Sequence, residues 1–316
     1  MKMSFLKKAL VLVVLVPVIF VTLSFLIVPK ESKYSVPSVV NKVSTSACLR
    51  WTMYRDNDFK TDFFGMTYSG KAGNLVDAAI RCHGAHEKPF LFLMRDIAKL
   101  LNEKELTLFD VGANVGQHSM FMSTLGKEVH SFEPYPPVFE RLKQNIENNS
   151  LKNVFLYPVG LGATNMEHDF YEPQNSNLGS GSFVRKQDNT ANVLKSLKVV
   201  VGDEWIAKKS IPRVDIIKMD IEGYEKPALL GLKNTIDKNR PILLVELTFG
   251  LETSFKTSKE FDDAFPRNYK FAKYCELNMS TGRYRLCDYT FDSTEPGLHD
   301  IVAYPIERAN LIKRLM

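Results

Sequence analysis

Four carboxylates in this sequence stand at or beside the end of a short apolar run: Asp110, Glu133, Asp220 and Glu246. A strand interior accommodates a carboxylate poorly, whereas the carboxyl-end rim of a parallel sheet is where open α/β folds bind ligands. The first of these runs, Leu106–Val111, passes directly into Gly112-Ala-Asn114-Val-Gly116. Gly112 permits a tight turn at positive φ, and Gly116 permits close approach to the backbone. Glu133 follows the turn by about 20 residues, the spacing of an acid that accepts hydrogen bonds from ribose hydroxyls. Asn114 takes the place where a dinucleotide fingerprint needs glycine, so its Cβ obstructs a pyrophosphate. S-adenosylmethionine has ribose and adenine without phosphate, and its amino-acid end suits Asp110, Asn114 and backbone groups. The pattern therefore favours that cofactor over NAD.

The elements that must hold these residues alternate along the chain. Leu106–Val111, Glu128–Phe132, Val154–Val159, Val214–Met219 and Pro241–Leu247 read as strands. Gln117–Leu125, Pro137–Asn148 and Pro227–Leu232 read as intervening helices, the second carrying Val138, Leu142 and Ile146 at fourfold spacing after its proline. Such alternation implies a parallel sheet. The stretch Gly160–Ser182 reads as a long loop with a short strand at His168–Tyr171. A helix near Lys259–Phe265 is followed by β-rich segments at Tyr269–Glu276, Arg283–Tyr289 and Ile301–Tyr304, which add antiparallel strands at one edge.

Among these elements the run Ile217-Lys-Met-Asp220-Ile-Glu222-Gly-Tyr-Glu225 is the most specific. With Asp110–Gly116, Phe132-Glu133-Pro134, Asn145 and Asn148–Asn149, Val159–Gly162 and Gly179–Phe183, it resembles the FkbM family of methyltransferases over about Phe109 to Leu247. The resemblance implies an α/β class I methyltransferase (Rossmann-like) fold: a mostly parallel seven-stranded sheet with an antiparallel terminal strand and helices on both faces. It implies methyl transfer from S-adenosylmethionine to a hydroxyl of a sugar or natural product. Asp110, Gly112, Asn114, Gly116, His118, Glu133 and Pro134 are then expected at the cofactor. Asp220 and Glu222 are expected at the reacting hydroxyl, Asp220 as base or orienter, because a hydroxyl is a weak nucleophile until its proton is accepted. Glu225 is a further candidate for that role, and Glu222 and Glu225 alternatively brace the loop, Glu225 standing near a helix start. Lys218, inside a strand, reads as an edge-facing or ion-paired lysine. No dedicated metal spacing is present. A Rossmann oxidoreductase using NAD, and a methyltransferase fold that binds without turnover, are the competing readings.

Composition limits the setting. The 316 residues carry a net charge of +5 with no basic run interleaved with aromatics, which disfavours nucleic acid as a partner. After a short tail over residues 1–8, Ala9–Val28 has no charged residue. As a helix it spans about 30 Å, the thickness of a bilayer core. It reads as a signal-anchor, followed by a stalk over 29–50 and a methyltransferase domain over 51–316 with its core at 106–247. Lys2, Lys7, Lys8 and the terminal amine favour a cytosolic N-terminus and a lumenal or extracellular domain. The expected partners are thus the membrane and a hydroxyl-bearing acceptor, glycan or lipid-linked. Of the four cysteines, Cys275 and Cys287 flank a turn and Cys48 and Cys82 would make a second pair, although four separate thiols fit equally well. Sequons begin at Asn148 and Asn278.

Overall fold

The computed structural model describes residues 47–101, 105–173, 177–184, 192–294 and 297–316. The expected tail and anchor, and the stalk as far as residue 46, lie outside these residues. Among the described residues no helix is long and apolar enough to cross a membrane. Helix α1 (47–53) falls partly inside the span expected as stalk.

The N-terminal part comprises the hairpin β1 (Asp58–Phe63) and β2 (Met66–Lys71), then α2 (Leu75–His83) and α3 (Lys88–Leu101). Asn74 caps α2 by accepting from Asp77 N, and Gly84 ends it in the left-handed conformation. The alternating units follow as β3 (Thr107–Val111), α4 (Gln117–Met122), β4 (Glu128–Phe132), α5 (Pro136–Asn148) and β5 (Val154–Tyr157). Next come β6 (Gly160–Gly162), β7 (Met166–Tyr171), β8 (Val193–Val201) and α6 (Gly202–Lys209). After them run β9 (Ile216–Met219), α7 (Glu225–Gly231), α8 (Lys233–Asn239), β10 (Ile242–Thr248) and α9 (Ser258–Ala264). The chain closes with β11 (Tyr269–Asn278), β12 (Arg283–Asp288), β13 (Leu298–Pro305) and α10 (Ala309–Ile312).

The main sheet has eight strands in the order β12-β11-β13-β10-β9-β3-β4-β5. Strands β3, β4, β5, β9 and β10 run parallel, while β13 is antiparallel to both β10 and β11. The expected seven-stranded arrangement is therefore present, with β12 added as an eighth strand at the edge. Leu108, Ile216 and Leu244 pack into one buried apolar cluster, and Phe109, Ile217, Leu243 and Val245 into another. Neighbouring strand residues point to opposite faces, so both faces are covered and the strands are apolar throughout. The order reverses between β3 and β9, which opens a crevice beyond their carboxyl ends.

One expectation is corrected here. Gly160–Ser182 is not mainly loop: the short strand expected at His168–Tyr171 is present as β7, and β6 and β7 join β8 in a separate three-stranded sheet of order β6-β8-β7. Its strand β6 is only Gly-Leu-Gly, too short to show a period. Glu246 lies two residues before the end of β10, directly opposite Asp300 of β13.

All four cysteines are paired. Cys48–Cys82 ties α1 to α2, and Cys275–Cys287 joins β11 to β12 at the bulge between Tyr274 and Glu276. Asn145 and Asn149, two of the residues carrying the family resemblance, anchor the β1–β2 hairpin on α5. Their carboxamide oxygens accept from Ser69 N and Thr67 N, both at 2.8 Å, and Asn145 Nδ2 donates to Val115 O. Their role is to position the glycine turn through α5.

Candidate functional site

The turn after β3 is held in left-handed backbone at three points: Gly112 at φ +80°, Asn114 at +49° and Gly116 at +93°. Gly112 N and Ala113 N both donate to Phe132 O at 3.0 Å, bending the turn over the end of β4. A Cβ on Gly112 would stand 1.8 Å from the carbonyl oxygen of Asp220. Glycine at 112 is thus what lets the loops after β3 and β9 close on each other. Gly116 permits the close approach expected of it, and the group that approaches is α5: a Cβ there would meet Leu142 Cδ1 at 2.8 Å.

Two cavities flank this turn. The first is lined by Glu133, Pro134, Leu161, Phe183, Ile221 and Tyr224, among others. Glu133 is buried, and its carboxylate accepts from Asn114 N at 3.0 Å and from Tyr135 N at 2.9 Å. Two backbone donors leave lone pairs for further hydroxyl donors. Burial is the main influence on this carboxyl and raises it from 4.5 to about 7 against the pull of those two N–H groups. Phe183 and Tyr224, with ring centroids 5.3 Å apart, supply an aromatic wall. A carboxylate beside aromatic surface fits an adenosine, with the ribose diol on Glu133 and the base on the apolar side.

The second cavity, of about 170 Å³, is lined by His86, Glu87, Gln117, His118, Glu222 and Glu246, with Lys218 beneath. Gly112, Asn114, Gly179 and Asp220 border both cavities, so the two meet at the end of β9. The turn Leu178–Ser180 roofs this junction: a Cβ on Gly179 would lie 2.3 Å from Asn114 Nδ2. Ser182 Oγ donates to Glu222 O at 2.8 Å, fastening the same segment to the loop after β9. Of the two roles open to Glu225 the structure shows the bracing one: it accepts from Ile221 N and Gly223 N at 3.2 and 2.9 Å.

Lys218 organises the floor. Its Nζ donates to Gly112 O at 2.6 Å and stands 3.4 Å from Asp110 Oδ1 and 3.7 Å from Asp220 Oδ2. Burial opposes the ammonium, yet Asp110 and Asp220 outweigh it and raise its affinity for the proton. Asp110 also accepts from Ser119 Oγ at 2.6 Å and is fully buried.

Of the residues expected at the cofactor, Gly112, Asn114, Glu133 and Pro134 line the first cavity. Asp110 and Gly116 line neither: Asp110 is consumed by Lys218 and Ser119, and Gly116 by Leu142. His118 faces the second cavity, with Asp220 and Glu222. The pair His86–Glu87 had no place in the sequence expectation. It enters through the α2–α3 connection, with His86 Nε2 3.5 Å from Glu87 Oε1 and Glu87 at φ +50°. Burial disfavours the Glu87 carboxylate, but His86 and then His118 and Lys218 outweigh it, lowering it to about 2. The adjacent titratable pair His86-Glu87 in the short connection between two amphipathic helices was the available signal.

The fold and this double cavity define a Rossmann-like protein with a nucleoside-type crevice at its topological switch point. Residues 110–272, just over half of the chain, match the family described as Methyltransferase FkbM domain, and the chain belongs to that family. Hexuronic acid methyltransferase AglP of Haloferax volcanii is 27% identical over 161 residues, covering 50% of this chain and 64% of that protein. The 2-O-methyltransferase NoeI of Sinorhizobium fredii is 26% identical over 162 residues, covering 46% and 65%. The chain thus spans under two thirds of the length of each. The structure of a methyltransferase FkbM from Methylobacillus flagellatus aligns with 63% of this chain and 44% of its own, at 16% identity and a TM-score of 0.41.

Proposed function

We propose that this protein is an S-adenosylmethionine-dependent O-methyltransferase acting on a sugar hydroxyl, borne on a glycan or glycolipid. The observation that carries the proposal is the meeting of two cavities at Asp220, one furnished for adenosine and one for a polar acceptor. The relatives' names, a hexuronic acid methyltransferase and a 2-O-methyltransferase, support the choice of a sugar.

Glu133 would hold the ribose diol, Pro134 and the Phe183–Tyr224 wall the adenine, and the Asn114 carboxamide the amino-acid end. Asn114, at positive φ and against Gly179, stands where a pyrophosphate would need to pass, which favours this cofactor over NAD. When bound, the cofactor supplies a methyl on positively charged sulfur, which departs as a neutral thioether. Asp220, with its side chain 34% exposed, borders the junction and is the group that accepts the hydroxyl proton as the oxygen takes the methyl. Glu222 orients the acceptor from the second cavity. The enclosed junction aligns donor and acceptor in line, the larger part of the catalysis for a methyl already activated.

The domain is further proposed to be tethered by Ala9–Val28 and to face the lumen or exterior. The apolar span supports the tether, and two disulfides using all four cysteines support an oxidising compartment.

Calorimetry on the full-length chain should detect S-adenosylmethionine and no comparable NAD binding, with Glu133→Ala weakening the former. Label from a methyl-labelled donor should pass to extracted glycans or glycolipids and be lost in Asp220→Asn. Binding of NAD in preference to S-adenosylmethionine would overturn the proposal. Protease digestion of sealed vesicles should spare the domain, and its cleavage from the cytosolic side would reverse the orientation.

A further inference from the structure

His118 and Glu87 line the second cavity together and stop short of a hydrogen bond. His118 is 7% exposed, its Nε2 has no hydrogen-bond partner among the described residues, and Glu87 Oε2 stands 3.9 Å away. A buried polar nitrogen is rarely left unpaired, because it forfeits its hydrogen bonds to water. The separation is held from both sides. Gln117 Nε2 donates to His86 O at 3.0 Å and His86 N donates to Gln117 Oε1 at 2.6 Å, fastening the α2–α3 connection to the start of α4. Glu87 O accepts from Phe90 N at 2.9 Å, and the Phe90 ring meets the His118 imidazole edge to face at 5.5 Å. His86 Nε2 answers Oε1 of Glu87 at 3.5 Å, and Oε2 is the oxygen beside His118.

Chemistry narrows what fits between the two. Glu87, lowered to about 2, is a carboxylate and only accepts. Burial and then Lys218 keep the His118 imidazole below its usual value, so it is neutral, and the carboxylate beside it favours the tautomer with hydrogen on Nε2. An oxygen about 2.8 Å from both atoms would see them at about 90°. A hydroxyl there accepts from Nε2–H and donates its own proton to Oε2. An ammonium has no lone pair for the imidazole, and a carboxylate has no proton for Glu87, so a neutral hydroxyl is the group that satisfies both.

We propose that His118 and Glu87 hold a second, non-reacting hydroxyl of the acceptor, so that the protein selects a polyol over a compound with one hydroxyl. The inference rests on the function proposed above and deepens it. Asp220 lines the same cavity, whose volume of about 170 Å³ equals about five or six waters at ~30 Å³ each, the scale of one sugar ring. Gripped at His118 and Glu87, that ring cannot turn freely about the hydroxyl presented to Asp220, and in-line attack needs such a fixed orientation.

The test uses the full-length chain, labelled S-adenosylmethionine, and the extracted glycan or glycolipid fraction that takes the label most readily. A hydrogen bond to a charged group is worth about ten- to a hundredfold in affinity and a neutral one about two- to tenfold. Glu87→Gln should therefore raise the acceptor KM by about tenfold or more and His118→Ala by several-fold. His118→Gln, which restores an N–H donor, should raise it less than His118→Ala. The Glu87→Gln and His118→Ala double variant should fall short of the product of the two effects, since both bonds end on one oxygen. Calorimetry should give each variant the native affinity for S-adenosylmethionine, and thermal unfolding confirms that each is folded. A methyl hexopyranoside should compete with the acceptor, and less well in His118→Ala, whereas cyclohexanol, a ring with one hydroxyl, should not compete. An acceptor KM untouched by Glu87→Gln and His118→Ala, or equal inhibition by the two ring compounds, would overturn the inference and leave the gap to a water. Absence of transfer by the native chain to any fraction is a different result and would sink the methyltransferase reading beneath it.

Discussion

Gly112→Ala offers the sharpest test of how the site is assembled, because a matched control exists in the same chain. Gly112 and Gly65 have nearly equal backbone angles, φ +80° and +83°. Alanine at either position bears the same left-handed penalty of about 1–2 kcal/mol. Their surroundings differ completely. A Cβ at 65 meets nothing within 4 Å, whereas at 112 it falls 1.8 Å from Asp220 O and 2.9 Å from Ile221 Cγ2. Ordinary contact begins near 3.4 Å, so relief requires moving the Asp220 carbonyl by roughly 1.6 Å. That oxygen is main chain and cannot rotate aside as a side chain would. Overpacking of this kind adds about 1–3 kcal/mol. Gly65→Ala should then lower Tm by about 2–8 °C and Gly112→Ala by about 4–20 °C, using roughly 2–4 °C per kcal/mol for a domain near this size. The functional consequence should be larger, because a shift above 1 Å at the residue bordering both cavities costs on the order of a hundredfold in positioning. Differential scanning calorimetry and cofactor titration on the two variants supply the measurements. If Gly112→Ala matches Gly65→Ala in both stability and cofactor affinity, the close approach of the β3 and β9 loops is not what shapes the site.

Cofactor affinity should fall by about tenfold per pH unit below 7 and level off above about 8, because the ribose-binding carboxylate of Glu133 half-protonates near 7; a flat titration from pH 5.5 to 8.5 would refute this. The sign for stability is opposite. Burial raises this acid in the folded state, so Glu133 is stabilising below pH 4.5 and costs the fold up to about 3 kcal/mol as pH rises from 4.5 to 7, a loss that Glu133→Gln should remove in pH-dependent unfolding. Lys218→Met should destabilise by about 3–5 kcal/mol, since it strands the fully buried Asp110, and Asp110→Asn in the same chain should recover part of that loss in urea unfolding. Opening Cys48–Cys82, with a sequence separation of 34, should cost about 4 kcal/mol against about 3 for Cys275–Cys287, separated by 12; equal losses in the two Cys→Ser pairs would count against the loop-entropy account.

The glycine turn, the alternation of strands and helices, and the acids Glu133, Asp220 and Glu222 were legible in the sequence because each is a local signal. A turn needs glycine at particular angles, a buried strand needs a continuous apolar run, and a strand-end carboxylate follows that run directly. What those carboxylates face was not local. Asp110 and Asp220 look equivalent as strand-end acids, yet the order reversal between β3 and β9 brings Lys218 across from a separation of 106 residues to the Gly112 carbonyl. That contact buries Asp110 as the lysine's partner and leaves Asp220 at the cavity. The same distinction governs Gly116, whose neighbour Leu142 is set by helix packing, and Glu246, which the β10–β13 register sets opposite Asp300. His86 and Glu87 join the site only because α3 packs beside α4 and delivers the preceding loop. Sequence specified which groups can do chemistry near the turn; the reversed strand order, by choosing which of them reach the cavities and which neutralise one another, decided their roles.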